Sequence, residues 1–156
     1  MHELALRVVQ RSDLPDIISL YAQPDMDGDA VLSLDKAERL YARIQRYPDY
    51  ELYIAEREGR TVGSYALLIM DNLGHGGTPS AVIEDVVVEP ASQSQGIGRA
   101  MMQHAIEIAR GRGCYKIVLS SNLAREAAHA FYESLDFEKH GYSYRIRFDG
   151  DPKEGQ

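Results

Sequence analysis

The chain has a single cysteine, Cys114, and that scarcity excludes an intrachain disulfide and any CxxC metal pair. No histidine or basic residue accompanies it at a motif-like spacing, so the thiol reads as a small hydrophobe rather than a nucleophile. Long apolar runs are also missing. Nothing in the 156 residues approaches the ~20 consecutive apolar positions that a membrane helix requires. The opening segment, MHELALRVVQRSD, does not lead from a basic stretch into an apolar one. No signal peptide is therefore expected, and a reducing, cytoplasmic setting is. Basic charge is in deficit, with 17 Lys and Arg against 24 Asp and Glu, a net charge of −7. That balance repels phosphate backbones and disfavours nucleic acid as a partner, whereas a cationic acceptor such as an amine is easily accommodated. His104, His129 and His140 read as surface residues with no metal-ligand spacing, and His75 as an exposed loop residue. Internal repeats and low-complexity linkers are absent as well.

What is present is enough apolar residue, 44%, to fill one core, which predicts one domain over residues 1–150 and a polar tail over 151–156. Leu4, Leu6 and Val8 alternate with Ala5, Arg7 and Val9 as in a strand. Ser12 or Asp13 caps a helix carrying Pro15, Ile17, Ile18 and Tyr21, and Leu34, Ala37, Leu40, Tyr41 and Ile44 mark a second helix that stops at Tyr47 and Pro48. The period then becomes two. Residues 50–56 and 61–70 predict an antiparallel hairpin across 57–60, a loop rich in glycine follows, and 81–88 predicts a third adjacent strand. A helix with Ile97, Met101, Ala105, Ile108 and Ala109 on one face ends at Gly111 and Gly113. Residues 115–121 predict a strand, Asn122 precedes a helix with Ala127, Ala128, Phe131, Tyr132 and Leu135 inside, and 142–148 predict a final strand. The order is that of a mixed α/β sandwich, with a right-handed parallel crossover over 81–121. The acidic stretch Asp25, Asp27, Asp29 is not a calcium loop, because Gly28 comes one place early and Lys36 stands where a bidentate Glu belongs.

The segment Gln93-Ser-Gln-Gly96-Ile-Gly98-Arg99 lies between a strand and a helix, so unpaired amides and the positive end of the helix dipole meet at one anion-binding spot. Glycines at 96 and 98 let a phosphate approach the backbone. The segment is neither a Walker loop nor a dinucleotide fingerprint. Gln93, Gly96 and Gly98 match [RQ]-x-x-G-x-[GA], and in this the chain resembles the GNAT superfamily of N-acetyltransferases. Residues 81–88 are similar to that family's fourth strand, and Asn122, Ala128, Phe131 and Tyr132 to its C-terminal motif. Ile83-Glu-Asp-Val86 and Gly113-Cys-Tyr-Lys116 also resemble glucosamine-6-phosphate N-acetyltransferases. Two departures stand out: Gln93 replaces the commoner Arg, and Asp136 replaces the usual Gly before Phe137, which puts the turn there in question.

The resemblance implies a GNAT-like α/β fold of the α+β type, its mixed central sheet splayed between the fourth and fifth strands and flanked by helices. It implies acetyl-CoA as acetyl donor, no metal, a small-molecule amine acceptor and a homodimer at the level of a family expectation. The implied cofactor-binding residues are Val86, Val87 and Val88 along the pantetheine arm, Gln93, Ser94, Gln95, Gly96, Ile97, Gly98 and Arg99 at the pyrophosphate, and Asn122, Ala128 and Tyr132. Transfer to an amine needs a base, stabilisation of the tetrahedral oxygen and a proton for the thiolate. Tyr132 is the candidate proton donor, against the alternative of a core-filling tyrosine. Glu84 is the candidate base. Neighbours on a strand point to opposite faces, so at most one of Glu84 and Asp85 faces the acceptor, and Glu84 is equally readable as half of an ion pair with Arg7 or Arg99. Tyr142 and Tyr144 are weaker candidates for the acceptor border. A non-catalytic acyl-CoA-binding module and a protein N-acetyltransferase remain the alternatives.

Overall fold

A computed structural model describes residues 3–24 and 26–148. The expected tail and Asp25 lie outside the described residues. The residues up to Val118 form one compact unit and those from Leu119 another, and each is taken in turn.

The first unit is a five-stranded sheet in the order β1-β2-β3-β4-β5, with β1 Leu4–Val8, β2 Tyr50–Arg57, β3 Arg60–Met70, β4 Ser80–Val88 and β5 Ile117–Val118. The first four strands are antiparallel neighbours, and β4 and β5 run parallel. Helices α1, Leu14–Tyr21, and α2, Leu34–Ile44, follow β1, while α3, Ile97–Gly111, makes the crossover between β4 and β5. Successive β2 residues sort the helices onto two faces. Ile54 is fully buried in a cluster with Val9 and Ile17, joined by Tyr21, Tyr41 and Leu52, on the side of α1 and α2. Tyr53 points the other way and meets His104 of α3, with ring centroids 5.2 Å apart. On that face Tyr65, Leu67, Ile83, Ile97, Met101 and Met102 are buried. Gly63 lets α3 sit close: a Cβ there would lie 2.9 Å from Met101 Sδ and 3.3 Å from Ile97 Cγ2.

Helix starts follow the sequence cues in part. Ser33 Oγ accepts from the Lys36 amide, capping α2. Asp13 stands at the N-cap of α1 without a side-chain capping bond, because its carboxylate instead accepts from the Gln10 amide and from Arg7 at 2.8 and 2.9 Å. Arg7 also pairs with Glu56, so this arginine is not the partner of Glu84.

β5 is shorter than the predicted 115–121, and β4 pairs with it only at Ala81 and Val82, whereas β4 runs on to Val88.

The second unit holds α4, Glu126–Glu133. Asn122 does not cap it directly. Its Oδ1 accepts from the Ala124 amide at 2.9 Å in a turn before the helix, and Arg125 occupies the N-cap position. Ala127 is exposed rather than inward. The predicted last strand, 142–148, has no ladder in the described structure, and Tyr142, Tyr144, Ile146 and Phe148 are 81 to 90% exposed. Alternating apolar residues supply strand propensity, but a strand also needs an edge to pair with.

Asp136 has φ +66° in the turn that ends α4. Its amide donates to the Glu133 carbonyl and that of Phe137 to the Tyr132 carbonyl, the paired bonds of a Schellman turn. Asp136 thus keeps the left-handed position that glycine usually fills, and the substitution does not change the turn.

Candidate active site

The strand-alternation argument for Glu84 and Asp85 fails at a bulge. Glu84 pairs with Ala66 and Val87 with Ser64, so Tyr65 faces both Asp85 and Val86, and Asp85 takes φ +52°. The extra residue brings Asp85 to the electrostatic environment of its neighbour instead of sending it to the far face. Both carboxylates raise the pKa of Tyr50, after burial as the larger cause. Burial, Asp85 and Tyr50 likewise push up Tyr21, while a hydrogen bond with Ser64 offsets part of this. Glu84 is held above the ordinary carboxylate range, first by partial loss of hydration and then by the like charge of Asp85. Glu84, Asp85, Tyr50, Tyr21 and Ser64 therefore form one acid and phenol cluster on the α1/α2 side of β4. A raised carboxylate pKa brings the group closer to the basicity that proton abstraction near neutral pH requires, and two carboxylates attract an ammonium group.

The strand ends in the expected anion loop. Val87 is buried, Val86 and Val88 half-buried, and residues 93–96 are exposed. The Val88 carbonyl accepts from Gln23 Nε2 at 3.1 Å and Gln93 Nε2 at 3.4 Å, which ties the loop back to the strand end. Ser94 and Gly96 are left-handed, at φ +62° and +81°, and α3 begins at Ile97, whose side chain is anchored at 1% exposure. The first intrahelical bond runs from the Ala100 amide to the Gly96 carbonyl. The amides of Ile97 and Gly98 precede it and have no acceptor within the helix. A Cβ on Gly96 would meet nothing within 4 Å, so the loop is open at the residue before the helix. A pyrophosphate fits that combination of space and donors.

In the second unit, Tyr132 is half-buried between aromatic neighbours, with centroids 5.2 Å from Phe131 and 5.8 Å, edge on, from Phe137. Burial raises its pKa, with Arg125 opposing, so the phenol holds its proton at neutral pH as a donor must. Asn122 is exposed and Ala128 half-buried, and His129 Nε2 lies 2.8 Å from the Asn122 carbonyl.

The histidine of α3 differs from its sequence reading, while His75 and Cys114 keep theirs. His104 is not a free surface residue: its Nδ1 is 2.7 Å from the Tyr65 hydroxyl, and burial lowers its pKa. His75 stacks on Tyr115 at 4.2 Å, and burial raises the Cys114 thiol pKa, opposite to nucleophile activation. Tyr21, Tyr50 and Ser64 were not legible as site residues, since each is an ordinary occupant of a helix or strand and only the bulge gathers them. Among the described residues, no cluster of three metal-ligating side chains exists and no helix is long and apolar enough to cross a membrane.

Residues 14–137 match the model of the acetyltransferase (GNAT) family. A glucosamine 6-phosphate N-acetyltransferase from Trypanosoma brucei brucei is 32% identical over 148 residues, covering 92% of this chain and 95% of the relative. N-alpha-acetyltransferase 30 from Schizosaccharomyces pombe is 26% identical over 107 residues, 69% of each chain. Among solved structures, a Trypanosoma brucei acetyltransferase superposes with a TM-score of 0.79 at 31% identity, over 94% of this chain and 100% of the other.

Proposed function

Because the chain belongs to the GNAT family of acetyltransferases, we propose that it moves an acetyl group from acetyl-CoA to the primary amine of a small molecule, by direct attack with both substrates bound. The observation that carries this reading is one bulged strand, β4, with a carboxylate of raised pKa at Glu84 and, past its end, a left-handed Gly96 at the start of α3.

Acetyl-CoA supplies a thioester carbonyl open to attack and a sulfur that can leave. The amides of residues 95–99 and the α3 dipole hold the pyrophosphate, and the β4 edge over Val86–Val88 aligns the pantetheine arm as an added strand would. Glu84, directly or through a water, takes the proton that the amine must lose to become nucleophilic. A backbone amide in the 86–88 stretch polarises the carbonyl oxygen, and the Tyr132 hydroxyl gives its proton to the leaving sulfur. As the amide forms, its nitrogen gives up a second proton to solvent, which also removes one from Glu84 and returns one to Tyr132, a net release of one proton. No acyl-enzyme is involved, which accords with the inert setting of Cys114.

The acidic and phenolic lining favours a cationic amine. By name, the relative aligned over 92% of this chain acts on glucosamine 6-phosphate, and that amino sugar is the first acceptor to test. A polypeptide N-terminus is the second reading, favoured by the N-alpha-acetyltransferase relative. The reading takes residues 1–150 as one domain acting in the cytoplasm. It also takes the protein as a homodimer, because the exposed face of Tyr142, Tyr144, Ile146 and Phe148 suits a second chain.

Thermal melting with and without acetyl-CoA, followed by an acceptor panel scored by release of the CoA thiol, tests the proposal. Acetyl-CoA at 100-fold its dissociation constant stabilises by about 2.7 kcal/mol. A melting temperature unmoved at millimolar acetyl-CoA removes the reading, and activity on peptides but not amino sugars moves it to the second.

A further inference from the structure

The anion loop is short of charge. From Pro90 to Gly96 it reads PASQSQG, without a cation, and Gln93 stands where the motif commonly has Arg. The whole chain carries −7, so the phosphates of acetyl-CoA approach against a net repulsion unless a cation lies close by. The β2–β3 hairpin brings two. The register of Gly63 with Val88, extended by the Glu89 amide donating to the Val62 carbonyl at 2.8 Å, sets the hairpin turn beside the loop.

The two arginines of that turn have different tasks. Arg60 Nη2 donates to Glu89 Oε1 at 2.8 Å, and Ser92 Oγ donates to the other Glu89 oxygen at 2.7 Å, so Arg60 neutralises a carboxylate at the base of the loop. Arg57 reaches the loop itself. Its Nη1 donates to Gln95 Oε1 at 2.7 Å, and Gln95 Nε2 donates onward to the Ala91 carbonyl at 3.1 Å. Arg57 Nε, by contrast, is buried with no hydrogen-bond partner. A guanidinium offers five donors in a rigid fork, and a neutral amide oxygen is a weak and single-toothed match for it. A phosphate is ionised and can accept two of those donors at once, including the one left over.

We propose that Arg57 is a phosphate-binding residue of the cofactor site, held by Gln95 in the arrangement described and transferred to a phosphate of acetyl-CoA when the loop is filled. The proposal rests on the acetyl-CoA reading above. It replaces, from a hairpin on the far side of β3, the charge that the motif lacks at position 93. The recipient is a phosphate of either the pyrophosphate or the ribose 3′ group, and truncated ligands separate these.

The test measures dissociation constants of acetyl-CoA, acetyl-dephospho-CoA and S-acetylpantetheine for the wild type, Arg57→Gln and Arg57→Lys. Arg57→Gln is expected to weaken acetyl-CoA by about tenfold, to flatten its dependence on salt and to leave S-acetylpantetheine unchanged. Arg57→Lys falls between, keeping charge without the fork. If acetyl-dephospho-CoA still shows the Arg57→Gln loss, the pyrophosphate is the partner; if it does not, the 3′-phosphate is. Equal losses for acetyl-CoA and S-acetylpantetheine, or none for either, overturn the proposal. Arg57→Lys carries the same comparison should the glutamine variant fail to fold. A wild type that binds none of the three ligands overturns the acetyl-CoA reading and this proposal with it.

Discussion

Replacing Glu84 with Gln keeps the side-chain volume and the β4 register while removing the charge and the ability to take a proton. Glu84 is set against Asp85 at the bulge, and its pKa is raised by lost hydration and by that neighbouring charge. General base catalysis by such a group contributes about 10²–10⁴-fold, which is roughly 2.7–5.4 kcal/mol of barrier. Steady-state release of CoA thiol from the best acceptor should therefore show kcat/KM reduced by that factor. The fold should not suffer, because the substitution relieves a like-charge contact. The pH profile is the sharper readout. A base works only when ionised, so wild-type kcat/KM falls as pH drops through the raised Glu84 pKa, and Glu84→Gln lacks that acidic limb. Asp85→Asn supplies the complementary perturbation: removing the like charge lowers the Glu84 pKa and moves the limb to lower pH without abolishing activity. Glu84→Gln with intact kcat and an unaltered profile refutes the assignment, and so does an Asp85→Asn variant as inactive as Glu84→Gln.

Three further outcomes are expected. Tyr132→Phe retains both ring contacts, so acetyl-CoA affinity measured by calorimetry stays within about twofold while kcat falls about 10²-fold; an unchanged kcat removes Tyr132 from the proton path. Asp136→Gly relieves a left-handed φ of +66° and should stabilise the protein by about 0.5–1 kcal/mol in urea unfolding, where a loss would contradict the turn assignment. Stability should also decline on acidification below about pH 6.5, the ordinary histidine value. The folded-state pKa of His104 lies below that of the unfolded chain, so the unfolded state binds the extra proton, and its contribution is complete above pH 6.5 and lost as pH falls through the folded value. His104→Gln should flatten this part of the pH–stability curve, and a curve identical to wild type would show that His104 is not its source.

The parts of the fold legible in the sequence are those where a local rule and the tertiary context agree. Ile97, Met101 and Ala105 recur at helical spacing because α3 has one face against the sheet, and all three are buried. Gly96 marked the start of α3 because a left-handed residue is needed there. The failures fall where pairing overrides pattern. Period-two alternation says that Glu84 and Asp85 diverge, but it assumes an unbroken ladder, and no residue type announces the bulge. Residues 142–148 carry the right alternation and still form no strand, since alternation specifies a face and not a partner. His104 was misread because one histidine in a helix gives no hint of Tyr65, 39 positions earlier. The cofactor loop was legible from its own residues; Arg57 was not, because its relevance comes from a register shared by β3 and β4.

A strand bulge acts on a sheet as a one-letter insertion acts on a reading frame. Up to Glu84, β4 is in frame with β3; from Val87 onward it is displaced by one. Pairing the same residues without the bulge would leave β4 equally apolar, yet it would set Asp85 opposite Tyr65, Val86 opposite Ser64 and Val87 opposite Gly63, turning Val87 toward Met101 and inverting the segment that leads into the loop. The extra position is thus absorbed where Tyr65 faces two residues, which lets Val87 stay beside Ser64 and Val88 beside Gly63 in a segment one residue longer than its partner.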